Sequence, residues 1–366
     1  MSPPAADSRR DAALLRALKD IAPGTQIRAA IDDIIRGRTG ALLVLAEKDD
    51  IEPVLSGGIR IDMEFSAKHV YELAKMDGAI VLDRAAKRIK WANVQLVPDA
   101  DIPSTETGTR HRSAERTARQ VKALVVTVSA SRDVVTLYQG ETSYQLEPIR
   151  SLLIKANQAL ATLETYRMRL DQVSHRLLSR ELAGSATLLD ALVVIQRAEM
   201  AKRMVAEIER HQIELGDEGR LTEMQLRELS VGIKPDRSAV VRDYMVDTTS
   251  EMHRKVLDRL GRLSGERLLR LEDLEVLLGF ERDVNPIDTI VEPRGYRVLS
   301  RIPGLSQVLV ERLVQHFGSI SHVLSASPRE LAVVSGLGPV RSREVYDSLR
   351  RMQEYFSLPQ QSQTRQ

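Results

Sequence analysis

The chain of 366 residues contains no cysteine. That excludes disulfides, thiol nucleophiles, zinc–thiolate sites and iron–sulfur clusters, and it accords with a reducing compartment. No apolar run reaches the roughly 18–20 residues that a membrane span needs. The N-terminal MSPPAADSRRDAALLRALKD lacks the continuous apolar centre of a secretory signal. The expectation is a cytoplasmic protein without membrane contact. Aromatic residues make up 4% of the chain, too few for base stacking to be a main mode of nucleic-acid binding. Neither charge sign dominates: 53 Lys and Arg face 51 Asp and Glu, a net of +2, so global electrostatics names no partner. The common catalytic signatures are missing too. There is no Gly-Lys pair and so no Walker loop, and no GxGxxG, HExxH or GxSxG.

What is present falls into three stretches. Residues 1–9 read as a polar, proline-containing tail, and helical spacing follows near 10–20 and 26–36. ALLVLA (41–46), GAIVL (78–82), IKWANVQLV (89–97), ALVVTVS (123–129), VVTLY (134–138) and SYQL (143–146) read as strands rich in Val, Ile and Tyr. Between them, 66–76 carries Val70, Leu73, Ala74 and Met76 at helical spacing, and GTRHRSAERTARQ (108–120) reads as a loop and then a helix. The sum is an α/β domain with a mixed central sheet over residues 1–148. From Pro148 the strand patterns vanish, and 149–184, 186–214, 219–230, 238–247, 250–261 and 265–278 read as helices. They form an all-α spine or linker domain over 149–290. Its long charged faces read as solvated, although so long a helix can also pair with a partner chain. A small all-α domain closes the chain at 291–366.

Within that last domain, residues 296–357 hold eight arginines against five acidic residues, an excess larger than that of the whole chain. Two segments match: Ile302-Pro303-Gly304-Leu305-Ser306 and Val334-Ser335-Gly336-Leu337-Gly338 each lead from a short glycine turn into an amphipathic helix. Glycine lets such a turn take left-handed geometry and approach another surface. The helix that follows offers free N–H groups and a positive dipole end to a phosphate. Arg341 and Arg343, just beyond Gly338, can add phosphate contacts. An ordinary glycine-capped helical hairpin would explain either copy alone. The pair resembles the tandem helix–hairpin–helix fold of DNA-repair proteins, which implies binding to the DNA backbone without regard to sequence. The first copy has Ser306 where a second glycine is expected, so Gly304 stands on weaker ground than Gly336 and Gly338.

The chemistry is expected in the N-terminal domain. Asp77-Gly78-Ala79 lies where a helix meets a buried strand, and Gly108-Thr109-Arg110-His111-Arg112-Ser113 opens a helix. Residues 108–122 carry Arg110, Arg112, Arg116, Arg119 and Lys122 against one acid, Glu115, with Ala114, Ala118 and Val121 as the apolar face. Thr109 reads as the N-cap, so that its hydroxyl and the first backbone N–H groups meet at one spot. Two guanidiniums there can fork onto phosphate oxygens. His111, alone among seven histidines in a Gly/Arg loop, can ligate a metal or hold a polyphosphate. A carboxylate such as Asp77 beside a polyphosphate holds Mg²⁺ or Mn²⁺ or activates a hydroxyl. The bland readings of the same residues are a capped surface helix and a turn aspartate.

DGA at 77–79, followed by GTRHR at 108–112 on an α/β domain, resembles the diadenylate cyclase domain. The order cyclase domain, helical spine, tandem helix–hairpin–helix resembles the bacterial DNA-integrity-scanning family over essentially the whole chain. The resemblance implies that two ATP molecules condense to cyclic di-AMP and two pyrophosphates, each ribose 3′-hydroxyl attacking the other nucleotide's α-phosphorus. It implies that Asp77 assists the hydroxyl or its metal, Mg²⁺ or Mn²⁺, and that Gly78 and Ala79 line the nucleotide's approach. Thr109, Arg110, His111, Arg112 and Ser113 would form the phosphate-binding motif, with His111 a second metal ligand. Ser129 and Arg132 would add phosphate contacts, and Leu96 would touch the base. It further implies an octamer of facing cyclase domains, nucleoid association, and branched or damaged DNA as the ligand of the C-terminal module. A helix–hairpin–helix repair scaffold or nuclease without cyclase activity, and a different nucleotidyltransferase or ATP-binding sensor, are the competing readings.

Overall fold

The computed structural model describes residues 5–130, 132–281 and 285–357. The chain divides into two compact units, Met1–Gln158 with Ile208–Met224, and Ala159–Glu207 with Gln225–Gln366.

The first unit is built on a mixed sheet of eight strands: β1 (Ala41–Leu45), β2 (Leu55–Ser56), β3 (Ile59–Glu64), β4 (Ala79–Leu82), β5 (Arg88–Leu96), β6 (Leu124–Val128), β7 (Val135–Gln139) and β8 (Thr142–Gln145). Their order is β2-β5-β4-β1-β6-β7-β8, with β3 also paired to β5. The β1–β4 pair is parallel and the others are antiparallel. Five helices belong to this layer: α1 (Ala5–Asp20), α2 (Gln26–Arg36), α3 (Lys48–Ile51), α4 (Ala67–Leu73) and α5 (Thr109–Val121).

The unbroken apolar run of β1 follows from burial on both faces. Leu43 and Leu45 join a core that includes Leu18, Ile31 and Ile34 of α1 and α2 and Val70 of α4. Leu42 and Val44 point the other way, into a core with Ala114 and Ala118 of α5, Ile51 and Tyr138. The expected apolar face of α5 is therefore the packed one. The strand at 59–64 is missing from the sequence reading because IRIDME lies at an edge and buries no residue fully, so its apolar signal is faint. The expected tail at 1–9 is corrected from Ala5 onward, where α1 already runs; residues 1–4 lie outside the described residues.

The rest of the chain is helical: α6 (Ile149–Leu182), α7 (Leu188–Leu215), α8 (Arg220–Ser230), α9 (Ile233–Tyr244), α10 (Ser250–Arg262), α11 (Gly265–Leu269), α12 (Leu271–Leu278), α13 (Tyr296–Leu299), α14 (Gln307–Phe317), α15 (Ile320–Ser325), α16 (Pro328–Leu331) and α17 (Gly338–Ser357). Two segments differ most from the pattern. Helix α9 starts early, behind Gly232 at φ 83, because Pro235 falls in its first turn, where no N–H is needed. The segment 265–278 is two helices, broken where Arg270 turns extended at φ −89, ψ 115.

In the second unit one core joins Leu178 and Leu182 of α6 to Tyr296, Val298, Leu309, Leu331 and Leu337. Arg297 is buried there in an ion pair with Glu181 of α6, and its Nη1 donates to the Ser174 carbonyl at 3.2 Å. Asp243 accepts the backbone N–H groups of Gly295, Tyr296 and Arg297 at 2.7, 2.7 and 2.8 Å. Its own burial and the neighbouring Glu181 carboxylate push Asp243 up to about 7.

Candidate nucleotide site

Strand register sets the location. Ala41 of β1 lies opposite Val128 of β6, and β4 runs parallel to β1. The heads of β1 and β4 and the tail of β6 therefore lie at one end of the sheet. Asp77 and Gly78 come just before β4, Ser129 just after β6, and Arg132 in the turn that follows. Asp77 is exposed. Gly78 sits at φ +111, and a Cβ there would lie 2.8 Å from the Asn93 backbone carbonyl carbon. Only glycine lets the turn pass so close to β5. Ala79 is fully buried, so it anchors this turn in the core. Leu96 ends β5 opposite Leu55; at 7% exposure it is a core side chain with little surface to offer a base.

Helix α5 arrives at the same end. The Arg110 guanidinium rests on Gly40, one residue before β1: a Cβ on Gly40 would meet its Nη1 at 2.3 Å and the Val128 carbonyl at 3.3 Å. Arg110, Arg112 and Thr109 are exposed, and His111 and Ser113 are half-buried. Arg112 donates to the Thr107 carbonyl at 3.0 Å. The expected N-cap is corrected: Gly108, at φ −83 and ψ 140, caps α5 without a side-chain bond, and Thr109 is the first helical residue. The glycine leaves the first-turn N–H groups uncovered by any side chain, which suits an anion.

Two arginines further along α5 serve the protein itself. Arg116 donates to the Ile102 carbonyl at 2.8 Å and Arg119 to the Pro103 carbonyl at 2.5 Å. Buried Glu115 pairs with Arg119 at 2.6 Å and accepts from the Ser104 hydroxyl at 2.5 Å and the Thr105 N–H at 3.0 Å. Together they strap the loop before α5 along the helix and fix where Thr109–Ser113 begins.

His111 lies over β6 and β7. Its Nδ1 is 2.8 Å from the Tyr138 hydroxyl and 3.3 Å from that of Thr127. Tyr138 in turn donates to Glu106 at 2.8 Å. Burial first, and then the Glu106 carboxylate, hold the Tyr138 phenol protonated well above its ordinary range. Sequence reasoning missed Gly40, Glu106, Thr127 and Tyr138. Glu106 stood two residues before the glycine of the motif and was legible as its nearest acid; nothing local ties Tyr138 to a residue 27 positions earlier.

Among the described residues no three His, Asp or Glu side chains gather as a preformed metal cluster. The two expected ligands, Asp77 and His111, would supply one carboxylate and one imidazole, so a divalent ion held by them would take most of its ligands from substrate phosphates and water.

The C-terminal glycines also have defined places. Gly304 (φ 76), Gly336 (φ 92) and Gly338 (φ 58) are exposed and left-handed. The two turns differ at the following helix, where Ser306 caps α14 by accepting from the Leu309 N–H. Arg341 and Arg343 are exposed on the first turns of α17. Arg297, counted among the basic residues of this module, is buried and paired.

Residues 28–143 match the family model described as DisA bacterial checkpoint controller nucleotide-binding, and residues 146–286 match the DisA bacterial checkpoint controller linker region. The chain is 43% identical over 345 residues to the DNA integrity scanning protein DisA of Carboxydothermus hydrogenoformans, covering 94% of this chain and 98% of that one. It is 46% identical over 355 residues to the protein of the same name from Acidothermus cellulolyticus, covering 96% of each.

Proposed function

The chain belongs to the DisA family of bacterial checkpoint controllers and is a diadenylate cyclase, and from that premise we propose that its first unit condenses two ATP molecules into cyclic di-AMP with release of two pyrophosphates. The observation that carries this reading is the meeting, at one end of the sheet, of the Asp77-Gly78 turn, the Arg110 guanidinium on Gly40 and the start of α5. The heads of β4 and β1 and the tail of β6 span two strand spacings, about 10 Å. That distance suits a nucleotide whose ribose lies at one end and whose phosphates lie at the other.

Each half-reaction forms a bond from a ribose 3′-oxygen to an α-phosphorus and breaks the bond from that phosphorus to the pyrophosphate oxygen. Asp77 receives or steers the hydroxyl proton. Arg110, Arg112, Thr109, Ser113 and the first-turn N–H groups of α5 take the phosphate charge, with Ser129 and Arg132 at the far edge. Gly78 leaves room for the ribose, with Ala79 anchoring the turn beneath it, and Leu96 offers the base only the small part of its side chain that is exposed. Asp77 and His111 would hold Mg²⁺ or Mn²⁺, which would offset charge on the phosphoryl oxygens when bound. One chain carries one such site, while the product is two-fold symmetric. Two units must therefore face each other, each aligning its nucleotide with the other's α-phosphorus. The family resemblance implies that these facing domains assemble as an octamer.

The second unit is proposed to bind branched or damaged DNA through a tandem helix–hairpin–helix module at Gly304, Gly336, Gly338, Arg341 and Arg343, and to lower cyclase output when occupied. The exposure of all five residues supports this. It would place the protein in the cytoplasm on the nucleoid.

Incubation with ATP and Mn²⁺ or Mg²⁺, with the products separated by chromatography, is expected to yield a cyclic dinucleotide and pyrophosphate. Asp77→Asn is expected to lower that yield by about a hundredfold or more with the sedimentation of the assembly unchanged. Loss of assembly instead would make Asp77 structural.

A further inference from the structure

The direction of the hydrogen bonds around His111 follows from chemistry alone. A carboxylate has no hydrogen to give, so Tyr138 donates to Glu106. Its single hydrogen is then used, and the phenol oxygen faces Nδ1 of His111 at 2.8 Å as an acceptor. Thr127 is compatible with this: its hydroxyl lies 3.3 Å from the same Nδ1 and can accept there by giving its hydrogen to the Thr136 carbonyl at 3.4 Å. The phenol oxygen, the nearer of the two neighbours, therefore asks Nδ1 for a hydrogen. Tyr138 is 1% exposed and Thr127 fully buried, so water does not readily replace them.

We propose that Glu106 and Tyr138 are positioning residues that fix His111 in the Nδ1–H tautomer, so that the atom facing the site is a bare Nε2. The inference rests on the reading of this site as a cyclase site and narrows it. The sequence left His111 two roles, a direct hydrogen bond to polyphosphate or ligation of a metal. A bare Nε2 offers a phosphate oxygen only a second lone pair. His111 thus acts on the polyphosphate through a divalent cation, while the phosphate donors are Arg110, Arg112 and the α5 backbone. Hydrogen-bonded partners of this kind set both the orientation and the basicity of a ligating histidine.

Magic-angle-spinning NMR on metal-free, full-length protein labelled with ¹⁵N-histidine reads the tautomer directly, and His111 is the signal lost in His111→Gln. The expected result is hydrogen on Nδ1. In Tyr138→Phe the Nε2–H form should gain population. In Glu106→Gln the amide can donate to the phenol oxygen and turn its hydrogen toward His111, so Nδ1 should become the acceptor. Glu106 lies on a half-buried loop, so this variant tests the idea even if Tyr138→Phe folds poorly. In both variants Mn²⁺ affinity in the presence of ATP, followed by electron paramagnetic resonance, should fall by about ten- to a hundredfold. Hydrogen on Nε2 in the wild type overturns the proposal, as does a Glu106→Gln protein with the tautomer and Mn²⁺ affinity unmoved. The tautomer is read without turnover, so the two readings fail separately. Nδ1–H in a protein that makes no cyclic dinucleotide sinks the cyclase reading and leaves the relay standing. Cyclisation by a protein whose His111 carries hydrogen on Nε2 sinks the relay alone.

Discussion

Two glycines at the same end of the sheet are needed for opposite reasons. At Gly78 the obstacle to a side chain is backbone: a Cβ would lie 2.8 Å from Asn93 at φ +111, and neither can move cheaply. At Gly40 the nearest obstacle is the far end of Arg110, which swings aside at little cost to folding, and the Val128 carbonyl at 3.3 Å need give by only a few tenths of an ångström. Gly78→Ala is therefore expected to lower stability by about 1–3 kcal/mol. Gly40→Ala should leave the unfolding midpoint almost unchanged while weakening ATP binding about tenfold, the size of one lost charged hydrogen bond. Denaturant titration and calorimetry with ATP separate the two. An ATP affinity untouched by Gly40→Ala would remove the Gly40–Arg110 contact from the site. Gly78 was legible in the sequence as the partner of Asp77. Gly40 was not, because its role depends on a side chain 70 positions later.

At the scale of the element, α5 shows why a charge count misleads. The sequence places five cations and one acid between 108 and 122, which reads as a surplus awaiting an anion. Folding commits Arg116 and Arg119 to carbonyls of the preceding loop and buries Glu115 among Arg119, Ser104 and Thr105. The single acid is thus the fastening point of the loop rather than a flaw in a basic patch. Glu115→Ala is expected to cost about 2–3 kcal/mol, since the Arg119 guanidinium loses its carboxylate partner and two loop donors lose their acceptor. It should also raise hydrogen exchange across residues 99–107, and ATP affinity should fall because the start of α5 is no longer held. Unchanged exchange there would mean that the loop is fixed by other contacts. The central strands and the apolar face of α5 were legible because burial on both faces leaves unbroken apolar runs, and one-sided packing leaves helical spacing. The edge strand β3, the early start of α1 and the break at Arg270 were not, since each is decided by partners distant in sequence or by a single backbone torsion.

At the scale of the whole molecule, the packing of the second unit decides how the proposed DNA response can be tested. The pattern of the chain invites removal of everything after residue 295. Such a cut would strip Leu178 and Leu182 of their partners in Tyr296, Val298 and Leu299. It would also leave Glu181, 1% exposed, without Arg297. An unpaired buried charge alone costs about 3–5 kcal/mol, so a lost DNA response in that truncation would report unfolding. Charge reversal at Arg341 and Arg343 avoids this, since both are exposed and touch neither that core nor Glu181. Arg341→Glu with Arg343→Glu should leave the cyclase rate without DNA and the unfolding midpoint as in the wild type. Affinity for a branched duplex should drop by at least about tenfold for each backbone contact exchanged for a repulsion, and its salt dependence should become shallower. The inhibition by DNA should weaken in the same proportion, because an effector shifts output only as far as it distinguishes two states of the protein. If DNA still lowers cyclase output equally in the double variant, the signal enters elsewhere, and the glycine turns before α14 and α17 are architecture rather than sensor.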